Sequence, residues 1–225
     1  MCGRFTLRSP ASLVAEQFAL DEMPRLEPRY NIAPGQPVAI VRVEPGGGGG
    51  AARRLAMVRW GLLPEWAKDP KLGNRLINAR AETVAEKPAF RTAFRRRRCL
   101  VVADGFYEWL KLGARRQPYY FHLADDRPFG MAGLWESWPS PEGDAIETCT
   151  ILTTQANEHV RPVHDRMPLI VPPEAYAAWL APGVTDVPRL LPLLALDVAA
   201  ELRARVVGAI VNDPRVDDPR CIEPA

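Results

Sequence analysis

Prolines are the feature that most restricts how this chain can fold, because 23 of them are scattered along its 225 residues. Proline lacks a backbone N–H and interrupts both helices and interior strands, so many short elements with rigid connections are expected. Strand-like apolar runs occupy residues 37–44, 53–60, 99–103, 118–122, 130–135 and 147–153. Glycine, proline and aspartate separate these runs, which favours an antiparallel sheet over alternating strands and helices.

The length allows one domain with a full hydrophobic core. We predict a single α+β domain over residues 1–225, with a curved, mainly antiparallel sheet, a barrel-like core and short flanking helices. The glycine-rich segment 45–50 lies between two strand-like runs and is expected to be a flexible hairpin loop.

Three short helices are predicted from their start and stop signals. The first is expected to have Ser9 as its N-cap, Pro10 at its first helical position, and Val14 and Phe18 on its buried face. The other two are predicted at residues 173–180 and 195–204.

Composition excludes several classes of protein. No apolar run approaches the ~20 residues that span a bilayer, and no signal-peptide pattern is present, so a cytoplasmic protein without membrane contact is expected. The four cysteines are far apart and include no CxxC pair, which argues against disulfides, a zinc site or another metal centre. Cys99 and Cys149 lie in apolar runs and are expected in the core.

Charge says little about partners. The net charge is +2, and four of the 29 basic residues are lysines. An arginine bias suits bidentate phosphate contacts, but a GC-rich genome would produce the same bias. The run of arginines at residues 95–98 is more typical of a solvated turn than of a binding patch, with a groove that follows a nucleic-acid backbone as the alternative.

Cys2 follows the initiator methionine, whose removal would leave a terminal cysteine with its amine and thiol on adjacent carbons. Such a 1,2-aminothiol condenses with an aldehyde to an imine, and the thiol then closes a five-membered thiazolidine. The amine has an ordinary pKa of roughly 7.7–8.0 and the thiol about 8.5, so both nucleophiles are accessible near neutral pH.

Four other segments carry candidate chemistry, each with a structural alternative. The segment Asn78-Ala79-Arg80 either places polar side chains in a functional site or is a loop in which Asn78 and Arg80 form hydrogen bonds with backbone groups. Glu108 lies among aromatic residues, which would raise its pKa for acid–base work, unless it faces water from a surface strand. His164 lies in a polar turn, whereas His122, inside an aromatic run, is assigned to the core. Trp66 either stacks on an unpaired base or is an ordinary loop tryptophan.

Taken together, these segments resemble the SOS-response-associated peptidase (SRAP) family, whose domain shields abasic sites in single-stranded DNA. The matching segments occur in family order and cover nearly the whole chain: residues 1–5, 29–35, 60–64, 78–83, 104–109, 153–157 and 164–168. Any one of these motifs is weak alone, and seven in order are specific. The chain departs from the family in the loop at residues 68–75, which is longer.

The resemblance implies roles for the matching residues and a family fold of the kind described above. Cys2 would be the nucleophile that binds the abasic sugar, and Asn78 would orient the reacting groups. Glu108 would move protons, and His164 would help to open the sugar ring. DNA contacts are implied for Arg4, Pro34, Trp66, Arg80, Thr153 and Arg166, with the arginines on phosphates and Pro34 and Trp66 against bases.

The resemblance further implies a crosslinking enzyme with no cofactor and no metal. Its partner would be single-stranded DNA that contains abasic sites, and a monomer that associates with the nucleoid when bound to DNA is expected. General protease activity is not expected, because the sequence offers no serine–histidine triad.

Two other functions remain open on the sequence. Glutamine amidotransferases also begin Met-Cys-Gly, and in an N-terminal-nucleophile amidohydrolase the Cys2 thiol would attack an amide. That function does not require the segments around Asn78 and His164. A non-covalent single-strand binder would bind intact and abasic DNA alike.

Overall fold

A computed structural model describes residues 2–45, 51–141, 143–195 and 202–225. All six predicted strand runs are strands in it. Its strands are β1 Phe5–Leu7, β2 Arg29–Ile32, β3 Pro37–Pro45, β4 Ala51–Trp60, β5 Asn78–Arg80, β6 Arg98–Ala103, β7 Gly105–Leu112, β8 Arg115–Leu123, β9 Phe129–Pro139, β10 Ala145–Gln155, β11 Arg166–Pro168, β12 Ile170–Val171 and β13 Leu202–Val206.

The helices are short, as the prolines predict. The α-helices are α1 Ala11–Phe18, α2 Arg91–Arg96, α3 Tyr176–Leu180 and α4 Val187–Leu190. Single 3₁₀ segments cover Pro70–Arg75, Ala81–Thr83, Pro173–Ala175, Leu191–Ala195, Ala209–Asn212 and Pro219–Ile222. No helix in the described part of the chain has the length and apolarity needed to cross a bilayer.

A closed barrel forms the core. Strand β10 pairs with β4, β4 with β3, β3 with β6, β6 with β9, and β9 pairs back with β10. These pairings are antiparallel except for β4 with β10, where Arg59 lies opposite Thr148. Closure leaves few free edges, which protects such short strands from pairing with other chains. The predicted α+β fold with a barrel-like core is therefore confirmed.

A second sheet, in the order β13-β8-β7-β1-β2, carries the beginning of the chain. Strand β1 pairs with β7, with Phe5 opposite Phe106, and the Tyr107 N–H donates to the Arg4 carbonyl at 2.9 Å. Phe106 stacks on Phe121 of β8 at 5.1 Å between ring centroids, and all three phenylalanines are buried. These contacts fix the N-terminal residues against β7.

Two predictions about helices need correction. Helix α1 begins at Ala11 with Pro10 as its N-cap, since the Val14 N–H donates to the Pro10 carbonyl, and Val14 and Phe18 are buried as expected. Ser9 does not cap the helix, because its hydroxyl donates to Asp104.

The helix predicted at residues 195–204 is wrong at its C-terminal end, where residues 202–204 belong to β13 and pair with β8. Residues 196–201 lie outside the described residues, as does most of the loop 45–50; the strands β3 and β4 flanking that loop pair up to Pro45 and Ala51.

The arginine run is also more structured than a solvated turn. Arg95 and Arg96 are exposed on α2, but Arg98 is 5% exposed and its guanidinium donates to backbone carbonyls, including those of Trp179 and Ala181. Arg97 pairs with Glu136 at 2.8 Å. Cys99, Cys149 and His122 are buried, which confirms their assignment to the core.

A buried carboxylate anchors the first strand. Asp104 has no exposed surface, and its Oδ2 accepts hydrogen bonds from the backbone N–H groups of Arg8 and Ser9 at 2.6 and 2.7 Å. Its Oδ1 accepts one from the Thr6 hydroxyl at 2.5 Å. Asp104 therefore ties the end of β1 to the start of β7.

We expect Asp104→Ala to lower the free energy of unfolding by about 3 kcal/mol, because it leaves buried N–H donors without acceptors. Asp104→Asn keeps one amide oxygen for those donors and should lose less. Urea unfolding of both variants measures this, with the exposed Asp125→Ala as control. Equal losses for alanine and asparagine would show that the acceptor oxygen is not what matters.

Candidate active site

Four side chains predicted to be catalytic come together from separate elements. Cys2 precedes β1, Asn78 begins β5, Glu108 lies within β7, and His164 lies in the turn before β11. The Asn78 side-chain amide donates to the Cys2 carbonyl at 2.8 Å, and His164 Nε2 lies 3.9 Å from Glu108 Oε2. Residues far apart in sequence thus face one another where the two sheets meet.

Asn78 is held by the barrel. Strand β5 runs parallel to β10 with Asn78 opposite Ile151, and the Trp60 indole N–H donates to the Ile77 carbonyl at 2.8 Å. The Asn78 Oδ1 is buried and has no hydrogen-bond partner among the described residues. An unsatisfied buried acceptor beside Cys2 is suited to a donor that a substrate or a free terminal amine would bring.

Glu108 is 3% exposed, so the alternative that it faces water from a surface strand is wrong. Strand β7 pairs on one side with β8, where Glu108 lies opposite Tyr119, and on the other side with β1. Burial raises the pKa of the Glu108 carboxyl, while the nearby His164 opposes the rise. A carboxyl group with a raised pKa exchanges protons more readily near neutral pH.

Cys2 has no exposed surface and belongs to the hydrophobic core. Burial raises the pKa of its thiol far above the ordinary value, and the negative charge of Glu108 raises it further. The resting sulfur is therefore a neutral thiol, and it lies close enough to Glu108 to feel the charge of the carboxylate.

The imidazole of His164 is oriented by its neighbours. The Arg166 backbone N–H donates to Nδ1 at 2.9 Å, and Nε2 faces Glu108. Asp165 Oδ1 also lies 3.0 Å from Nδ1. The edge of the ring that carries Nε2 is therefore directed at the Glu108 carboxylate.

Arg4 and Arg166, predicted to bind phosphates, are engaged inside the fold. Arg4 Nη1 donates to Asn31 Oδ1 at 2.7 Å and to the Val211 carbonyl at 2.9 Å, and the guanidinium lies 5.8 Å from the Trp109 ring centroid. Arg166 forms a two-pronged ion pair with Glu82. Both guanidinium groups are therefore held in fixed positions at the edge of the site.

Thr153 is completely buried, and its carbonyl accepts a hydrogen bond of 2.5 Å from Arg166. A direct contact between its side chain and DNA would require β10 to move, so the structure places Thr153 in a supporting position behind Arg166. Arg80 differs from the other two arginines, since its side chain is exposed at the end of β5.

The two residues predicted to stack on bases lie at the surface. Trp66 is 59% exposed, and Pro34 is exposed in the turn between β2 and β3. No group of three His, Cys, Asp or Glu side chains within the described ranges is arranged to hold a metal ion.

Sequence reasoning missed two partners. Asn31 and Glu82 orient the guanidinium groups of Arg4 and Arg166, and both lie in segments that the family resemblance had already singled out. Their positions in the motifs were visible in the sequence, but the partner that each one contacts is set by the tertiary fold.

Comparison with known proteins agrees with the sequence resemblance. Residues 1–214 match the family model described as SOS response associated peptidase (SRAP). The abasic site processing protein YoqW of Bacillus subtilis (strain 168) is 43% identical over 227 residues, covering 99% of each chain. The abasic site processing protein YedK of Escherichia coli (strain K12) is 36% identical over 186 residues, covering 80% of this chain and 79% of that protein. A crystal structure of a protein from Bacteroides thetaiotaomicron superposes with a TM-score of 0.86 at 26% identity, covering 100% of each chain.

Proposed function

The chain belongs to the SRAP family, and from that premise we propose that it processes abasic sites in single-stranded DNA by forming a covalent DNA–protein crosslink through Cys2. The curated relatives at 43% and 36% identity are named abasic site processing proteins, which supports abasic-site processing. The crosslink would be a thiazolidine, formed after removal of Met1.

One observation carries this proposal: Asn78 is hydrogen-bonded to the Cys2 carbonyl, and Glu108, whose charge acts on the Cys2 thiol, lies 3.9 Å from His164. A hydrogen bond to the backbone of Cys2 fixes the first residue of a processed chain, which otherwise would be free to rotate. Acid–base groups next to it suit a reaction in which each step moves a proton.

The first step opens the sugar. An abasic deoxyribose is mostly a closed hemiacetal, and proton donation to its ring oxygen by His164 or Glu108 would release the aldehyde. The Cys2 amine adds to C1′, and loss of one water molecule gives an imine. Positioned proton transfers of this kind contribute about 10²–10⁴-fold in rate.

The second step closes the ring. The Cys2 sulfur adds to the imine carbon while its proton passes to the imine nitrogen, so no other reactant is needed. Burial keeps the resting thiol neutral, but an iminium cation next to it would offset the charge of Glu108 and favour the thiolate. The product lacks the aldehyde, so the DNA strand is protected from β-elimination, and the same proton transfers in reverse would release it.

The DNA strand would cross the edge of the site. Exposed Arg80 and the oriented Arg166 would bind phosphates, with Arg4 behind them, and Trp66 and Pro34 would stack on bases. We propose that a monomer acts in the cytoplasm and joins the nucleoid through DNA, without a cofactor.

The decisive experiment incubates the purified protein with a single-stranded oligonucleotide bearing one abasic position and analyses it on a denaturing gel. A heat-stable band of the combined mass supports the proposal, and mass spectrometry of the N-terminus tests whether Met1 has been removed. A glutaminase assay tests the alternative that the protein is an N-terminal-nucleophile amidohydrolase. Equal, purely reversible binding of intact and abasic DNA would support the non-covalent binder instead.

We expect Arg80→Ala to weaken binding of single-stranded DNA and to reduce the slope of log K against log salt by about 0.7, the value for one phosphate contact on a single strand. Fluorescence anisotropy between about 50 and 200 mM salt measures both effects. Arg96→Ala, an equally exposed arginine on α2, serves as the control. An unchanged slope for Arg80→Ala would remove this residue from the phosphate contacts.

A further inference from the structure

An ion pair joins the two segments of the chain that carry Asn78 and His164. Glu82 lies in the 3₁₀ segment Ala81–Thr83, which follows directly on β5, and Arg166 begins β11. The Glu82 carboxylate accepts hydrogen bonds from both terminal nitrogens of the Arg166 guanidinium, with Oε2 to Nη2 at 2.9 Å. Such a two-pronged pair fixes the direction of the two side chains as well as their distance.

Strand β10 lies between the two partners. Thr153 of β10 pairs with Arg80 of β5 on one side, and Gln155 of β10 pairs with Arg166 of β11 on the other side. Arg166 Nη2 also donates to the Thr153 carbonyl at 2.5 Å, which holds the guanidinium against β10 itself. The ion pair therefore reaches across β10 and ties β5 to β11.

The same arginine orients the imidazole of His164 through its backbone. The Arg166 N–H donates to His164 Nδ1 at 2.9 Å, and His164 Nε2 lies 3.9 Å from Glu108 Oε2. On the other side of β10, Asn78 of β5 donates to the Cys2 carbonyl at 2.8 Å. A shift of β11 relative to β5 would therefore move the imidazole relative to Asn78.

The ion pair leaves Arg166 able to bind DNA. The Arg166 side chain is mostly buried, whereas Glu82 is about half exposed, and hydrogen bonds from Arg166 lower the pKa of the Glu82 carboxyl. A guanidinium has five N–H donors, of which Glu82 takes two and the Thr153 carbonyl takes a third. One N–H of Nη1 is among those left, so a DNA phosphate can bind Arg166 while Glu82 stays in place.

We propose that Glu82 is a positioning residue for the crosslinking reaction and acts through Arg166 on the His164 imidazole. Misplacement of a reacting group by about 1 Å can cost about 10²-fold in rate, so a bond outside the reacting set has a large effect on the chemistry. The inference rests on the proposed function and adds to it a residue that does not contact the reacting atoms.

The test is Glu82→Gln, which keeps the shape of the side chain but removes one prong of the pair, because an amide nitrogen cannot accept from the guanidinium. Single-turnover crosslinking at saturating abasic single-stranded DNA should become about 10–100-fold slower. The matched control is Glu86→Gln, which removes an exposed negative charge from the same part of the chain and should react at the wild-type rate. Both variants should bind DNA equally well by anisotropy in a Cys2→Ala background, where binding stays reversible.

A second readout separates positioning from a loss of folded protein. Burial raises the pKa of the Glu108 carboxyl, as does the negative charge of Asp165, while the nearby His164 lowers it. An imidazole that moves away from Glu108 should therefore shift the inflection that Glu108 governs in the pH–rate profile to higher pH. A smaller folded fraction would instead reduce the amount of adduct and leave the rate constant and the inflection unchanged.

A double-mutant cycle tests whether Glu82 acts through Arg166. In an Arg166→Gln background, Glu82→Gln should cause no further loss of rate at saturating DNA. Additive losses, an unchanged inflection, a wild-type rate for Glu82→Gln, or an equally slow Glu86→Gln would each overturn the positioning role. Absence of any adduct from the wild-type protein would instead overturn the proposed function.

Discussion

Replacing Cys2 with alanine is expected to abolish the heat-stable adduct with abasic single-stranded DNA completely. Alanine keeps the terminal amine after methionine removal but has no sulfur, so the reaction stops at an imine that water hydrolyses. On a denaturing gel the shifted band should disappear, and it should return in part when borohydride reduces the imine. No other residue supplies a thiol on the carbon adjacent to the amine.

The matched control is Cys99→Ala, which removes a buried thiol from β6 inside the barrel. It should crosslink as the wild type does, apart from a modest loss of stability. Full adduct formation by Cys2→Ala without borohydride would contradict the thiazolidine mechanism. Loss of the adduct in both variants would point to a general effect of cavities in the core.

Glu108→Gln is expected to slow adduct formation by about 10²–10⁴-fold, the contribution of a positioned acid–base group. Glutamine has nearly the same shape and keeps hydrogen bonding, so the packing around Cys2 should be preserved. Single-turnover crosslinking rates measure the effect. Glu136→Gln is the control, because burial also raises the pKa of the Glu136 carboxyl. Glu136 lies on β9, where it forms an ion pair with Arg97 and is away from Cys2.

Glu108→Gln is also expected to change how the free energy of unfolding depends on pH. Because the pKa of Glu108 is raised in the folded state, that state binds more protons than the unfolded chain at pH values above the unfolded pKa of about 4.3. The stability of the wild type should thus fall as pH rises from about 4.3 through the folded pKa, relative to Glu108→Gln. Urea unfolding of both proteins across this range tests it; parallel curves would mean that Glu108 is not desolvated.

The fold was predictable where the pattern is local. Short apolar runs between prolines and glycines correctly placed the strands, and the alternation in β7 separated Glu108 from Tyr107. The helix predicted at residues 195–204 was wrong at residues 202–204 because pairing with β8 overrides helical propensity there. The Ser9 cap was wrong because Asp104, which lies 95 residues further along the chain, takes its hydroxyl.

The residues proposed to be catalytic were singled out by motif, whereas their geometry could not be predicted. The sequence could not show that Glu108 is buried, that Asn78 donates a hydrogen bond to the Cys2 carbonyl, or that Arg166 forms an ion pair with Glu82. These facts depend on long-range pairing, such as the parallel contact of β5 with β10, that leaves no local signal. The burial of Thr153 has the same origin, since it follows from the position of β10 in the barrel.

The buried position of Cys2 limits when Met1 can be removed during biosynthesis. The start of the chain leaves the ribosome first, yet β7, which it packs against, follows more than 100 residues later, on the order of 10 s at ordinary translation rates. An aminopeptidase therefore has free access to the nascent terminus only during that interval. A protein produced behind an uncleaved affinity tag would lack the terminal amine on which the proposed reaction depends.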